Sequence, residues 1–148
     1  KGTDVEFGLS IYEPFGIAQL EPLCFGGLCV VTALCGCAGF VRAITEGRNV
    51  SNVIEVDYTN LNGQAGMALE ELLQIDKEYR DQIEHKISEK VALEICARLP
   101  KNDGEANALL QSGYDLARHM GWEAVVENYV LRSLNKAIRK QHSRIVTL

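Results

Sequence analysis

The sequence predicts an α/β fold, with parallel strands in the first part of the chain and helices in the second. Three observations carry this. A β-branched run, Leu28-Cys29-Val30-Val31-Thr32, follows Gly26-Gly27 and reads as a strand buried on both faces. Shorter strand-like segments flank it at residues 5–10 and 53–56, with an apolar stretch of helical length between the first two. Beyond residue 66, apolar residues recur at helical spacing to near the end of the chain.

Residues 16–25 are apolar enough for a helix, which Pro22 interrupts by deleting one backbone bond and bending the second turn. Strand, helix and strand at this spacing make a βαβ unit with a right-handed crossover, and the first strand is left as an exposed edge. Residues 35–39, Cys35-Gly36-Cys37-Ala38-Gly39, read as a loop at the same sheet edge as residue 13, either plain or lining a ligand pocket with backbone groups, and 40–44 as one or two helical turns. Gly47 and Asn49 mark a turn before the third strand, and Asn62-Gly63 a loop after it. Helices follow at 67–75 and then beyond Asp76. That residue is suited to cap a longer helix on which Tyr79, Ile83, Ile87, Val91 and Ile95 repeat every four residues. Pro100, Asn102, Asp103 and Gly104 end it. Residues 105–119 form a further helix, with Gly121 at its C-terminal turn. The last helix, 122–140, gathers Trp122, Val125, Val126, Tyr129, Val130, Leu134, Ala137 and Ile138 on a broad apolar face that reads as packing. Residues 141–148 read as a tail. No Pro- or Ser-rich linker separates 1–63 from 64–148, so the two parts form one unit.

The totals are those of a globular domain: 148 residues, 47% apolar, 24% charged, net charge -5. An acidic balance argues against nonspecific binding to nucleic acid or anionic membranes. The cluster Arg132, Lys136, Arg139, Lys140 and Arg144 reads as a solvated face near a C-terminus, with contact to an anionic polymer or a partner as the sharper alternative. The longest apolar stretch, 28–34, is far short of a membrane span, which takes about 20 residues. No leader is visible, and the chain opens on Lys1 rather than Met, so an upstream part is expected. The five cysteines, odd in number and set among apolar residues, read as buried thiols of a reducing cytoplasm. Cys35-Gly36-Cys37 lacks a second ligand pair, so no metal site is expected. His85, His119 and His142 sit on separate segments with no nucleophile partner.

The segment with chemistry is 10–21, Ser10-Ile11-Tyr12-Glu13-Pro14-Phe15-Gly16-Ile17-Ala18-Gln19-Leu20-Glu21. It lies where the first strand ends and a helix begins, the edge at which open parallel sheets bind ligands. The unpaired amides of Phe15, Gly16 and Ile17 would offer donors to an anion at the helix N-terminus. Glu21, on an otherwise apolar helix, needs a partner such as the paired hydroxyls of a ribose. If the chain between them is mostly helical, Glu13 and Glu21 stand roughly 10 Å apart. The plainer alternative makes Glu13 a first-turn acid favoured by the helix dipole and Glu21 an exposed side chain.

Glu13 to Glu21, with Pro14-Phe15-Gly16 inside, resembles the paired-glutamate signature of retaining glycosyltransferases of the GT-B fold, the glycogen and starch synthases and their relatives. Gly26-Gly27-Leu28-Cys29-Val30-Val31 resembles the element that follows that signature. Met120-Gly121-Trp122-Glu123-Ala124-Val125 resembles the family's aromatic-led final helix, which crosses back toward the other domain. The resemblance implies a partial Rossmann-like domain, with a donor-binding part at 1–63 and a helical part at 64–148. It further implies a cytoplasmic hexosyltransferase that moves a sugar, glucose above all, from a UDP- or ADP-linked donor to a glycan acceptor with no bound metal. Glu13 would lie beside the transferred sugar, Phe15, Gly16 and Ile17 would give amides to sugar or diphosphate, and Glu21 would hold the ribose. The Gly-rich loop, the Arg and Lys clamp and the acceptor-binding domain of such enzymes precede the signature and are expected outside this chain. An epimerase or phosphorylase on the same architecture, or a non-catalytic interaction module, are the alternatives.

Overall fold

The structure, a computed structural model, describes residues 3–10, 12–58 and 68–145, with the side chains at 69, 72 and 141–145 left aside. Three parallel strands, β1 (Val5–Gly8), β2 (Leu28–Thr32) and β3 (Val53–Val56), lie in that order. Val5 pairs with Leu28 and Gly8 with Val31, while Cys29 pairs with Val53 and Thr32 with Val56. Strands two and three begin and end where the sequence places them, and the first stops two residues early. Every residue of β2 is buried, as a central strand covered on both faces must be. The edge expected at β1 is there, with Phe7 and Leu9 exposed.

Strand alternation sorts the core into two layers. On one side Cys29, Val31 and Val53 meet Leu20 and Leu23 of a 3₁₀ helix (Ala18–Phe25), Cys37, Ala38 and Val41 of α1 (Gly36–Thr45), and Leu116 of α4 (Asp103–Ala117). On the other, Val30, Ile54 and Val56 meet Ile87, Val91 and Ile95 of α3 (Lys77–Arg98). The four-residue repeat on α3 therefore faces the sheet, as its spacing predicts. Asp76 caps α3 as expected, its Oδ1 accepting from the Tyr79 amide at 2.8 Å. At the far end Arg98 donates to the carbonyls of Val50 and Val53 at 2.8 and 2.7 Å and holds α3 against the start of β3.

Six expectations need correction. The stretch over 16–25 is a 3₁₀ helix from Ala18, because Pro22 inside it cannot donate the bond an α-helix requires. The loop expected at 35–39 is the cap and first turn of α1, with Cys35 extended at the N-cap. Gly36 and Gly39 are weak helix formers, but Cys37 and Ala38 are fully buried there and packing overrides propensity. Asn102 does not end a helix but starts one: its Oδ1 accepts from the Glu105 amide at 3.0 Å, while Glu105 reaches back to the Lys101 amide at 2.8 Å. That reciprocal cap begins α4 two residues early. Cys24 and Cys96 are exposed, so only Cys29, Cys35 and Cys37 are the buried thiols expected. Burial pushes the Cys29 thiol up to about 12. The tail expected from residue 141 is helical as far as Ile145, where the described residues end: α5 (Trp122–Val125), a π-turn (Val126–Val130) and α6 (Leu131–Ile145) follow one another without a break. The apolar face of that terminal helix is exposed rather than packed.

A short helix, α2 (Leu69–Leu73), stands within the predicted 67–75. Met67 and the Asn62-Gly63 loop lie outside the described residues. At the N-terminal end of the sheet, the buried Asn52 side chain donates to the Gly27 and Leu109 carbonyls, both at 3.1 Å, tying β2 and β3 to α4. Its Oδ1 has no partner among the described residues, a cost of about 1–3 kcal/mol that the two donated bonds offset. No helix of the described residues is long and apolar enough to cross a membrane.

Candidate functional site

The segment between β1 and the 3₁₀ helix is a tight turn at the C-terminal edge of the sheet, pinned from three sides. The Ser10 carbonyl accepts from the Thr32 hydroxyl at 2.9 Å, holding the turn to the end of β2. The carbonyls of Glu13 and Phe15 accept from the Gly36 and Cys37 amides, at 3.1 and 2.7 Å. The turn thereby supplies acceptors to the first amides of α1, which no side chain caps. Such an approach needs a glycine at 36, where a Cβ would overlap the Pro14 carbonyl. The Phe15 ring adds an edge-on contact with Phe40, the centroids 5.6 Å apart.

Gly16 makes the reversal that follows, at φ 83°, a conformation that a side chain disfavours. Glu13 and Gln19 both flank the space its Cβ would fill. Gln19 is buried, donates to the Ser10 hydroxyl at 3.4 Å and accepts from the Cys37 thiol at 3.2 Å. Cys37 in turn lies 3.0 Å from the Cys35 sulfur, and Cys35 donates to the Thr32 carbonyl at 2.9 Å. Burial, and then the bond to Cys35, push the Cys37 thiol up to about 12, so it is a neutral donor to Gln19 and not a thiolate. Gln19 is the residue sequence reasoning missed. Its signal was an amide side chain in the apolar run 16–25, where an unpartnered one would be costly.

The structure brings Glu13, Phe15, Gly16 and Ile17 together on this turn. Glu13 is half-buried and Ile17 exposed. Among the described residues, the amides of Phe15, Gly16 and Ile17 take no acceptor. Glu21 sits farther on, within the 3₁₀ helix, and is exposed. Its carboxylate therefore needs no partner to offset burial, and the α-helical rise behind the expected 10 Å reach does not apply. Residues 35–39 do not open a second set of donors, because the Gly36 and Cys37 amides are spent on the turn. No Lys or Arg side chain among the described residues hydrogen-bonds to 12–21, and no three ligating side chains cluster as a metal site would require.

The same sheet edge has a second feature, on the α3 side. A cavity of about 760 Å³ is floored by Leu9, Thr32, Val56 and Tyr58 and walled by Asp81, Glu84 and His85. Burial, and then the Glu84 charge, raise the Tyr58 phenol above its usual range, so it is a neutral hydroxyl. Two carboxylates and no Lys or Arg line this cavity among the described residues, which makes it unsuited to a diphosphate. Of the two features, the Glu13–Ile17 turn is the one with three successive amides that take no acceptor among the described residues.

Comparison with known proteins finds no family model, no curated protein and no solved structure that matches the chain.

Proposed function

We propose that the chain is the donor-binding part of a retaining, GT-B-type glycosyltransferase, transferring a hexose, glucose above all, from a UDP- or ADP-linked donor to a glycan acceptor. The observation that carries the reading is the turn itself. A half-buried carboxylate and three adjacent amides without acceptors stand at the C-terminal edge of a parallel sheet, held rigid by hydrogen bonds to α1 and β2. In this reading Glu13 accepts hydrogen bonds from the transferred sugar. The Phe15, Gly16 and Ile17 amides stabilise charge on the sugar–diphosphate end, where the leaving group forms. Exposed Glu21 accepts from the paired ribose hydroxyls. The basic clamp on the diphosphate and the acceptor-binding surface fall to a separate domain, as the resemblance implies.

Calorimetric titration of the folded chain with UDP, ADP and GDP tests the reading. The expected result is saturable binding of one of them, weakened about tenfold or more in Glu21→Ala, the scale of a lost charge-assisted bond. Glu13→Ala leaves nucleotide affinity within about twofold while abolishing transfer in the intact enzyme. Nucleotide binding that is indifferent to Glu21 removes the ribose assignment. A folded chain that binds none of the three, alone or joined to an acceptor domain, removes the donor reading.

A further inference from the structure

The terminal helix presents a surface that the donor site does not use. Every residue from Val126 to Lys140 is exposed, and Trp122 before them is 80% exposed. Trp122, Val126, Val130, Leu134 and Ile138 repeat every four residues. On a uniform α-helix a four-residue repeat drifts by about 40° per step, because one turn takes 3.6 residues. The π-turn at Val126–Val130 holds more residues per turn and brings the first half of the stripe back into line with the second. The result is one continuous apolar face. Arg132, Lys136 and Arg139, spaced four and three apart, share a different face.

Charge is divided just as sharply along the chain. All twenty Asp and Glu precede residue 131, and five of the fifteen Lys and Arg follow it. The first 130 residues therefore carry -10 and the last eighteen +5, within a total of -5, while the terminal helix from Trp122 to Ile145, with Glu123 and Glu127 against five Lys and Arg, carries +3. A second copy is a poor cover for this helix, since it would set two equally basic helices side by side. What complements both faces at once is a surface that is anionic at its rim and apolar beneath. We propose that the terminal helix binds in the plane of an anionic lipid bilayer. Trp122, Val126, Val130, Leu134 and Ile138 enter the headgroup–acyl boundary, and Arg132, Lys136 and Arg139 lie among the lipid phosphates. The acidic body is held off by the same field that attracts the helix. The acidic total, which argues against such a surface, conceals a helix that suits it. This inference does not rest on the donor reading, and it assigns the helix differently from the resemblance, in which the corresponding helix crosses back toward the other domain.

Trp122 is the sole tryptophan, so its fluorescence reports on this helix directly. The intact chain is titrated with vesicles of phosphatidylcholine containing about 30% phosphatidylserine, and with vesicles of phosphatidylcholine alone. A blue shift of Trp122 emission and co-sedimentation with the anionic vesicles are expected. Binding should weaken about tenfold or more on neutral vesicles, and again as salt rises from about 0.05 to about 0.5 M. Leu134→Asp and the pair Arg132→Glu with Lys136→Glu alter only exposed side chains, and each should lower binding about tenfold or more while circular dichroism stays unchanged. Three results overturn the proposal: no vesicle response, as expected if another domain covers the helix; equal response to neutral vesicles; or a helix-mediated dimer that Leu134→Asp dissociates.

Discussion

β2 and the terminal helix are both rich in aliphatic residues, and they meet opposite environments. β2 has all five residues buried between α3 on one face and α1, α4 and the 3₁₀ helix on the other. The terminal helix has a stripe of similar composition with nothing of the chain's described residues drawn over it; Leu134 is 53% exposed. Composition alone does not separate the two. A strand needs neighbours for its backbone bonds and so is drawn inside, whereas a helix satisfies its own backbone and can leave the body with its apolar face uncovered.

Three measurements can break or sharpen that contrast. The largest effect belongs to the core: Leu23→Ala, at a fully buried side chain of the 3₁₀ helix, should cost about 2–5 kcal/mol in urea unfolding. A loss under about 1 kcal/mol would mean that the two-sided core is looser than its burial indicates. Alkaline pH comes next. Cys29 and Cys37 are held near 12 when folded, against an ordinary 9.0. Both pKa values are raised on folding, so their contribution is full below pH 9 and is lost as pH climbs from 9 toward 12. At pH 10 each thiol should remove on the order of 1 kcal/mol of stability relative to pH 8, and Cys29→Val should abolish its share. A midpoint unchanged between pH 8 and 10 would deny that these thiols are sequestered. The smallest effect is on the helix: Leu134→Asp should change global stability by less than about 0.5 kcal/mol. A core-sized loss there would show that the stripe is packed after all.

How far the sequence reached follows from the same physics. β2 and β3 were legible because a short β-branched run bounded by glycine or turn residues has few other readings. α1 was not, since two glycines in its first turn argue locally for a loop, and what holds it, the Glu13 and Phe15 carbonyls, lies over twenty residues away. The Glu13–Ile17 turn was placed at the right sheet edge because chain order alone sets where β1 ends. The partnership of Gln19 with Ser10 and Cys37 needed the fold, since nothing in the spacing pairs residue 19 with residue 37. Helical periodicity likewise identified the apolar face of the terminal helix, but periodicity says which residues share a face, not whether anything meets it.

The bonds from Gly36 and Cys37 to the turn also bear on how this chain can vary. Two carbonyls, at residues 13 and 15, fit two successive amides of a helix, with the backbone of residue 14 pressed against Gly36. Side chains that face solvent, such as Tyr12 and Ile17, can be exchanged freely. The number of residues between Glu13 and Phe15 cannot, because one more or one fewer would slide a carbonyl off its amide and uncap α1. An insertion or deletion between residues 13 and 15 is therefore expected to uncap α1.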